Sequence, residues 1–126
     1  GICKWIYTLF VYEDAEMPTR LFNLVTGKDW EIDKLLKVSE RVRNLERMFD
    51  VRQGLRRSDD TLPKKFFEQA LSKGKFKGEV MDKKKFEQMK DEYYDLRGWD
   101  KETGIPTRGK LDELGLGDVA DEVLGV

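Results

Sequence analysis

The chain has 126 residues, a length that favours a single domain with a modest hydrophobic core. Charged side chains make up 39% of the chain, but 24 basic and 25 acidic residues nearly cancel, so the overall charge favours neither nucleic acid nor an acidic membrane surface. The longest apolar stretch, residues 5–12, is far shorter than the roughly 20 residues that a transmembrane helix needs, and no basic leader with a cleavage site precedes it. We therefore expect neither a membrane anchor nor a signal peptide.

The first half of the chain predicts three helical segments. Residues 1–11 are almost uniformly apolar, and we prefer a helix to a buried strand there because the rest of the chain is helical. Pro18 predicts the first turn of a short helix that ends at Gly27. The longest helix is predicted from Trp30 to about Arg52, where apolar residues recur at spacings typical of one helix face. That stripe is expected to face the core and comprises Ile32, Leu35, Leu36, Val42, Leu45, Met48 and Phe49. The opposite face is expected to be solvated and carries Lys34, Lys37, Glu40, Arg41, Arg43, Asn44 and Arg47.

The second half predicts shorter helices between loops. Residues 54–61 lack any period and read as a surface loop, Pro63 marks a brief helix, and residues 72–80 are broken by two glycines. Asp82 is the predicted N-cap of a helix that ends at Gly98, and Thr107 caps the last one after a turn-rich stretch. The core face of the helix after Asp82 is predicted to carry Phe86, Met89, Tyr93 and Leu96. The sequence therefore predicts an all-α, irregular multi-helical domain over residues 1–126, with about five helices and one long central helix.

Little in the chain points to catalysis on residue types alone. Cys3 is the only cysteine, and a lone cysteine in an apolar stretch is more often a small buried hydrophobe than a metal ligand. The chain has no histidine, the commonest general acid or base and the commonest metal ligand. No pair of carboxylates has the apolar surroundings that would raise one pKa for acid catalysis. We therefore expect no catalytic residue in this chain.

Three clusters have alternative interpretations as binding sites. Arg52, Arg56 and Arg57 could hold a phosphate, but a solvated loop is favoured because two aspartates follow and can neutralise them. Lys83-Lys84-Lys85 and the lysines between 73 and 77 could bind nucleic acid, but nearby carboxylates dilute them and solvation is again favoured. The rings of Tyr93, Tyr94, Trp99 and Trp5 could stack on bases, but acidic residues surround the tyrosines, so packing in the core is favoured.

Several segments resemble a known family. The run Tyr93-Tyr94-Asp95-Leu96-Arg97-Gly98-Trp99-Asp100, with Gly104-Ile105-Pro106-Thr107 and Leu111-Asp112-Glu113-Leu114-Gly115-Leu116 after it, resembles the closing segment of the tungsten-containing aldehyde ferredoxin oxidoreductases. Arg43-Asn44-Leu45-Glu46-Arg47 and Asp59-Asp60-Thr61-Leu62-Pro63 extend the resemblance over most of the chain. Gly1-Ile2-Cys3 resembles the end of the family's Asp-x-x-Gly-Leu-Cys motif, with Ile2 in place of the leucine.

The resemblance implies a function that composition does not. Cys3 would supply the last ligand of a [4Fe-4S] cluster, and the backbone around Ile2, Cys3 and Lys4 would lie beside the pterin cofactor. The full enzyme would oxidise an aldehyde to its carboxylic acid at a tungsten (or molybdenum) atom held by two pterins, and would pass the electrons through the cluster to ferredoxin. Because the chain begins at Gly1 without a leader, we expect it to be the C-terminal part of a longer protein, inactive and without cofactor when isolated.

The implied partners are the remaining domains of that enzyme, ferredoxin and the aldehyde, without nucleic acid or membrane. The oligomeric state stays open, a homodimer included. One cysteine cannot form an internal disulfide, which favours the cytoplasm. The main alternative is a non-catalytic helical interaction module that docks through the apolar residues 5–11. A nucleic-acid-binding helical protein is a more distant alternative.

Overall fold

The computed structural model describes residues 16–125, which form an all-α structure. Six α-helices occur in this range: α1 (Glu16–Thr26), α2 (Ile32–Arg52), α3 (Lys65–Glu68), α4 (Lys83–Arg97), α5 (Arg108–Glu113) and α6 (Gly117–Leu124). A single 3-10 turn spans Arg57–Asp59, and the described range has an isolated bridge between Trp99 and Pro106 but no strand. The predicted fold class is confirmed, with α2 as the long central helix. The helix preferred for residues 1–11 lies outside the described residues.

The chain divides within α2, between Arg43 and Asn44, into two compact units. The described part of the first unit contains α1, which ends at Gly27 as predicted. The Asn23 side chain connects α1 to the following segment, because its amide donates to the carbonyl of Trp30 at 2.9 Å and its oxygen accepts from the Trp30 N–H at 3.0 Å. The rings of Phe22 and Trp30 pack at 4.7 Å. Local hydrogen bonds therefore fix the turn between α1 and α2.

The hydrophobic core of the second unit joins its C-terminal helices to the end of α2. Buried residues from α2, α5, α6 and the α5–α6 turn make up this core: Met48, Leu111, Leu114, Leu116 and Ala120. Ile105, Val119, Val123 and Leu124 pack around them. Leu111 and Leu114, from the helix that the sequence predicts after Thr107, are therefore core residues.

The ends of α4 and α5 agree with the sequence prediction. Asp82 accepts hydrogen bonds from the backbone N–H groups of Lys84 and Lys85, at 2.8 and 3.2 Å, and so caps α4. Gly98 ends that helix in the left-handed region, with φ of 68°. The Thr107 hydroxyl accepts from the Lys110 N–H at 3.3 Å and caps α5. The two N-caps, Asp82 and Thr107, each contribute about 1 kcal/mol, because they satisfy an N–H that the helix leaves without a partner.

The predicted orientation of α2 is wrong for much of its length. Met48 is fully buried, but most of the stripe expected to face the core is exposed: Ile32, Leu36 and Val42 in the first unit, Leu45 and Phe49 in the second. On the face expected to be solvated, Asn44 is 0% exposed and Arg47 is 3% exposed. The periodicity of a sequence identifies the apolar stripe of a helix. It does not show whether a polar side chain on another face has hydrogen-bond partners elsewhere in the chain that allow it to be buried.

The predicted core face of α4 is also wrong in part. Met89 is 64% exposed and Leu96 is 82% exposed, whereas Phe86 and Tyr93 are half-buried. The residue that α4 buries is Tyr94, at 2% exposure. As in α2, a residue with a hydrogen-bonding group is buried in preference to purely apolar ones.

None of the helices described in residues 16–125 combines the length and the hydropathy that a membrane span requires.

Candidate functional site

The residues that the sequence points to most directly, Ile2, Cys3 and Lys4, lie outside the described residues, so their roles stay predictions. Within residues 16–125, no group of three or more histidine, cysteine, aspartate or glutamate side chains is arranged to hold a metal ion. The structure instead shows a buried polar cluster in the second unit. The Arg47 cluster consists of Asn44, Arg47, Asp60, Tyr94, Trp99 and Gly104.

The guanidinium of Arg47 is the centre of this cluster. Its Nη1 donates to Asp60 Oδ1 at 2.9 Å, and its Nη2 donates to the other oxygen of the same carboxylate. Its Nε donates to the backbone carbonyl of Gly104 at 2.8 Å. A guanidinium suits this site because its planar, forked donors match a carboxylate in a bidentate pair and leave Nε for a third acceptor.

Two aromatic residues complete the surroundings of Arg47. The Tyr94 hydroxyl donates to Asp60 Oδ2, so this carboxylate accepts from both Arg47 and Tyr94. The Trp99 ring lies 4.9 Å from the guanidinium carbon, a cation–π distance. The Trp99 indole N–H donates to Asn44 Oδ1 at 2.8 Å. In the described part of the chain, no buried side-chain nitrogen or oxygen lacks a hydrogen-bond partner.

Gly104 brings the backbone of the turn-rich stretch against Arg47. Its φ is +72°, and a Cβ at this position would lie 2.5 Å from Arg47 Nη2. The turn is closed by hydrogen bonds from Gly104 N to the Asp100 carbonyl and from Asp100 N to the Ile105 carbonyl, both at 2.8 Å. Glycine is therefore required here for two reasons, its backbone conformation and the space that the guanidinium occupies.

The ionisation of the cluster is fixed near neutral pH. Burial alone would raise the pKa of the Asp60 carboxyl, but the hydrogen bonds from Arg47 and Tyr94 outweigh it and hold that pKa below its usual value. Burial, together with the hydrogen bond to Asp60, raises the pKa of the Tyr94 hydroxyl far above its usual value. Neither group exchanges a proton near pH 7, so the cluster supports the fold and does not act as a general acid or base.

Arg57 forms a second set of ion pairs on the surface of the same unit. It donates to Glu87 at 2.7 Å, to Asp91 at 2.5 Å and to the carbonyl of Lys101 at 2.7 Å. The hydrogen bond to Glu87 is the largest cause that raises the pKa of Arg57, and it lowers the pKa of Glu87 in return. These contacts tie the loop after α2 to α4.

The phosphate alternative for the arginine cluster has no support in these contacts. Arg52 pairs with Glu122 at 3.1 Å, and Arg56 donates to the carbonyls of Val51 and Leu55. The prediction that Asp59 and Asp60 neutralise the arginines is wrong, because the Asp59 carboxylate accepts from the Arg56 backbone N–H at 2.8 Å and Asp60 pairs with Arg47. Each of the three arginines therefore has a partner within the protein.

The aromatic residues near the C-terminus of α4 pack against one another. The Tyr93 and Trp99 rings meet edge to face at 5.6 Å, and the Tyr94 and Trp99 rings are 5.7 Å apart. These contacts confirm the prediction that the rings of Tyr93, Tyr94 and Trp99 serve packing. The same prediction for Trp5 falls outside the described residues.

The sequence prediction placed Asn44 and Arg47 on a solvated face and gave Gly104 no structural role, although a signal was present. Each of the segments that carry the family resemblance, beyond residues 1–3, contributes to this cluster or to the core beside it. Arg43–Arg47 supplies Asn44 and Arg47, Asp59–Pro63 supplies Asp60, and the C-terminal run supplies Tyr94, Trp99 and Gly104. The quoted segments are therefore brought together in space.

Comparison with known proteins agrees with the family resemblance of these segments. The sequence profile described as aldehyde ferredoxin oxidoreductase, domains 2 and 3, matches residues 1–116. The chain belongs to the aldehyde ferredoxin oxidoreductase family. It is 40% identical over 117 residues to the tungsten-containing aldehyde ferredoxin oxidoreductase of Pyrococcus horikoshii, and 39% identical over 119 residues to that of Pyrococcus furiosus. These alignments cover 92% and 94% of this chain but 18% of each relative, so the chain spans about a fifth of their length.

A solved structure shares the fold. It is the active site complex BamBC of benzoyl coenzyme A reductase, in complex with 1,5-dienoyl-CoA. The TM-score is 0.71 at 30% sequence identity, over 90% of this chain and 16% of that one. The helical arrangement therefore also occurs as a small part of another large redox enzyme.

Proposed function

We propose that this chain is the C-terminal helical part of a tungsten-dependent aldehyde:ferredoxin oxidoreductase. The observation that carries the proposal is the match to the family over residues 1–116, a range that includes Cys3. Identities of 38–40% to three tungsten-containing relatives over 92–94% of the chain support tungsten in preference to molybdenum. The full enzyme would oxidise an aldehyde to its carboxylic acid and deliver the electrons to ferredoxin.

In this proposal Cys3 is the residue of the chain that binds the iron–sulfur cluster. Its thiolate would bind one iron of a [4Fe-4S] cluster, and the backbone of Ile2 and Lys4 would lie beside the pterin. Thiolate sulfur is the usual ligand of such clusters, and the cluster would supply one-electron transfer between the pterin site and the acceptor. The other three cysteines would come from the remaining domains, because the chain has no other.

The described helices would support this site without taking part in the chemistry. The Arg47 cluster holds the end of α2, the loop after it, α4 and the turn at Gly104 in one arrangement. The exposed apolar residues of the second unit, among them Leu45, Phe49 and Leu96, are the kind of surface that the rest of a larger protein covers. The same surface would serve the alternative, a non-catalytic interaction module, but the family match weighs against that alternative.

The proposal includes the setting of the enzyme. Its partners would be its own remaining domains, an aldehyde and ferredoxin, in the cytoplasm, where a single cysteine stays reduced. The chain alone would hold no cofactor and would be inactive.

Metal analysis of the complete gene product, purified without oxygen, tests the proposal. We expect about four irons per chain together with tungsten in the unmodified protein, and loss of iron in Cys3→Ser. The exposed Ser58 offers a matched control, because Ser58→Ala changes one small polar side chain and should leave both metals in place. Elution volume and tungsten content show whether Cys3→Ser still folds.

Activity completes the test. Aldehyde-dependent reduction of a viologen dye should occur in the unmodified protein and in Ser58→Ala, and should fall sharply in Cys3→Ser. A product that contains neither iron nor tungsten would contradict the oxidoreductase assignment and favour the interaction module. Full iron in Cys3→Ser would contradict the ligand role alone.

A further inference from the structure

Residues 64–85 form an exposed segment with a strong excess of positive charge. We call this segment the basic loop; it contains α3, the irregular stretch after it and the start of α4. It carries eight lysines and three acidic residues, although the whole chain has a net charge of −1. Within residues 16–125, none of these eight lysines forms an ion pair. The loop therefore presents a local positive field that the overall composition conceals.

The carboxylates expected to neutralise the loop are partly committed elsewhere. Asp82 accepts two backbone hydrogen bonds as the cap of α4. Glu87 pairs with Arg57 at 2.7 Å and with Lys90 at 3.1 Å. Glu68 and Glu79 are the remaining acidic residues near the lysines. The sequence prediction of a diluted charge thus overestimates the neutralisation.

An apolar pocket lies within the same loop. Its volume is about 480 Å³, and its walls include the exposed side chains of Phe66, Leu71, Phe76, Val80 and Met81. The ammonium groups of Lys65 and Lys75 lie 5.4 and 5.5 Å from the ring centres of Phe66 and Phe76. Lys65 and Glu79 also line the pocket. Exposed apolar surface is therefore adjacent to positive charge, and an exposed apolar patch with a polar rim is a feature of interaction sites.

The pocket is preformed, because backbone hydrogen bonds hold its two sides together. Leu71 N donates to the Glu79 carbonyl at 2.9 Å, and Gly78 N donates to the Leu71 carbonyl at 2.8 Å. Met81 N donates to the Phe66 carbonyl at 2.9 Å. The Phe67 ring packs edge to face on Phe86 of α4 at 5.4 Å and joins the loop to the rest of the unit. A partner would therefore pay little ordering cost at this site.

We propose that the basic loop is the docking surface for an acidic partner protein, which places an apolar side chain in the pocket and carboxylates against the lysines. The partner we assign is ferredoxin carrying an acidic surface, and this choice rests on the proposed function. A single-stranded nucleic acid would also meet lysines and exposed rings, but Leu71, Val80 and Met81 give the pocket an aliphatic wall that suits a side chain better than a base.

Charge reversal in the complete holoenzyme tests the docking surface. The variant replaces three exposed lysines, as Lys73→Glu, Lys75→Glu and Lys77→Glu. The matched control makes the same change of charge outside the loop, as Lys28→Glu, Lys34→Glu and Lys37→Glu. We measure aldehyde oxidation with an acidic ferredoxin and with a small viologen dye, each at low and high salt.

We expect the loop variant to raise the KM for ferredoxin about tenfold at low salt, because it removes three attractions and adds repulsion. The KM of the unmodified enzyme should rise with salt, and that of the loop variant should depend on salt much less. The control variant should change the KM less than about threefold. Equal KM values for the loop variant and the unmodified enzyme would overturn the proposal.

The dye separates this proposal from the proposed function. Absence of dye-linked activity in the unmodified protein contradicts the proposed function, and binding is then measured directly by titration of the protein with ferredoxin and with an oligouridylate. Salt-sensitive ferredoxin binding that the loop variant weakens supports docking. Oligouridylate binding through the same lysines, or no binding to ferredoxin, overturns it.

A milder variant guards against misfolding. Lys73→Gln, Lys75→Gln and Lys77→Gln together keep polar, uncharged side chains and should raise the KM for ferredoxin by a few fold. Should both loop variants lose metal or precipitate while the control stays intact, the loop is a contact with the remaining domains of the enzyme, and the docking proposal fails.

Discussion

Arg47 donates a hydrogen bond of 2.8 Å from Nε to the backbone carbonyl of Gly104, across 57 residues of sequence. This bond joins the end of α2 to the turn between α4 and α5, and the same guanidinium pairs with Asp60 in the loop after α2. A buried cation with three acceptors therefore connects three segments that share no other buried ion pair among the described residues. We therefore expect the stability of the second unit to depend on this connection.

Arg47→Met is expected to destabilise the chain by about 2–4 kcal/mol, because it leaves the partly buried Asp60 carboxylate without its cation. The control is Lys37→Met on the same helix, which removes an exposed charge and should change the free energy of unfolding by less than about 0.5 kcal/mol. Urea denaturation of each variant gives the free energies of unfolding. Similar values for the two variants would show that the ion pair contributes little.

Gly104→Ala tests the close approach of the turn to Arg47. Gly115 is a matched control, because its φ of +67° is nearly the same but a Cβ there meets no atom within 4 Å. Gly115→Ala should cost about 1–2 kcal/mol for the left-handed backbone alone. Gly104→Ala should cost about 1–3 kcal/mol more, since the new Cβ displaces the guanidinium. Equal costs in thermal or urea denaturation would refute the steric argument.

The lowered pKa of the Asp60 carboxyl predicts a loss of stability in acid. Its pKa is held below the unfolded value of about 3.9, so the stabilisation is complete above that pH and is lost as the pH falls towards the folded pKa. Asp60→Asn should therefore be less stable than the unmodified chain at neutral pH, and the difference should shrink near pH 3. The measurement is urea denaturation of both proteins across this range. A difference independent of pH would rule out a depressed pKa.

The hydrogen bond between Trp99 and Asn44 is testable by a double-mutant cycle. Asn44→Leu leaves the buried indole N–H without this acceptor, and Trp99→Phe removes the donor and shortens the ring that faces Arg47. We expect each single variant to be destabilised by about 1–3 kcal/mol and the pair to show a coupling of about 1–2 kcal/mol. Additive effects within about 0.3 kcal/mol would show that the bond contributes no net stability.

Local features of the fold could be predicted from the sequence. Asp82, Gly98 and Thr107 act on backbone groups within a few residues, so their types alone indicate where helices begin and end. The length of α2 follows from an apolar period sustained over many residues. The short helix after Thr107 also follows from the local signal of its N-cap.

The faces that the helices bury could not be predicted in the same way. Asn44 and Arg47 are buried because they form hydrogen bonds with Trp99 and Gly104. These partners lie 55 and 57 residues away in the sequence, and the periodicity of one helix carries no information about them. The exposed positions Leu45 and Leu96 have apolar side chains that the described part of the chain does not cover. The apolar period of α2 or α4 therefore does not identify the face that the described residues bury.

The candidate cofactor site rests on the resemblance and not on physical reasoning from residue types. A lone cysteine without histidine or further thiols gives no ligand set, and Cys3 lies outside the described residues.

The basic loop could be predicted in part from residue types. Its lysines were visible in the sequence, but only the structure shows that the nearby Asp82 and Glu87 are engaged by a helix cap and by Arg57.

The contact between Arg47 and Gly104 also bears on the order of events during synthesis. A ribosome releases α2 long before it releases residue 104, and until then the buried face of the helix presents a cation and an amide without their final partners. In the nascent chain, water must solvate these polar groups while the apolar stripe of the helix is also exposed. Assembly of the second unit therefore requires synthesis to reach residue 104, where the last of these buried partners is supplied.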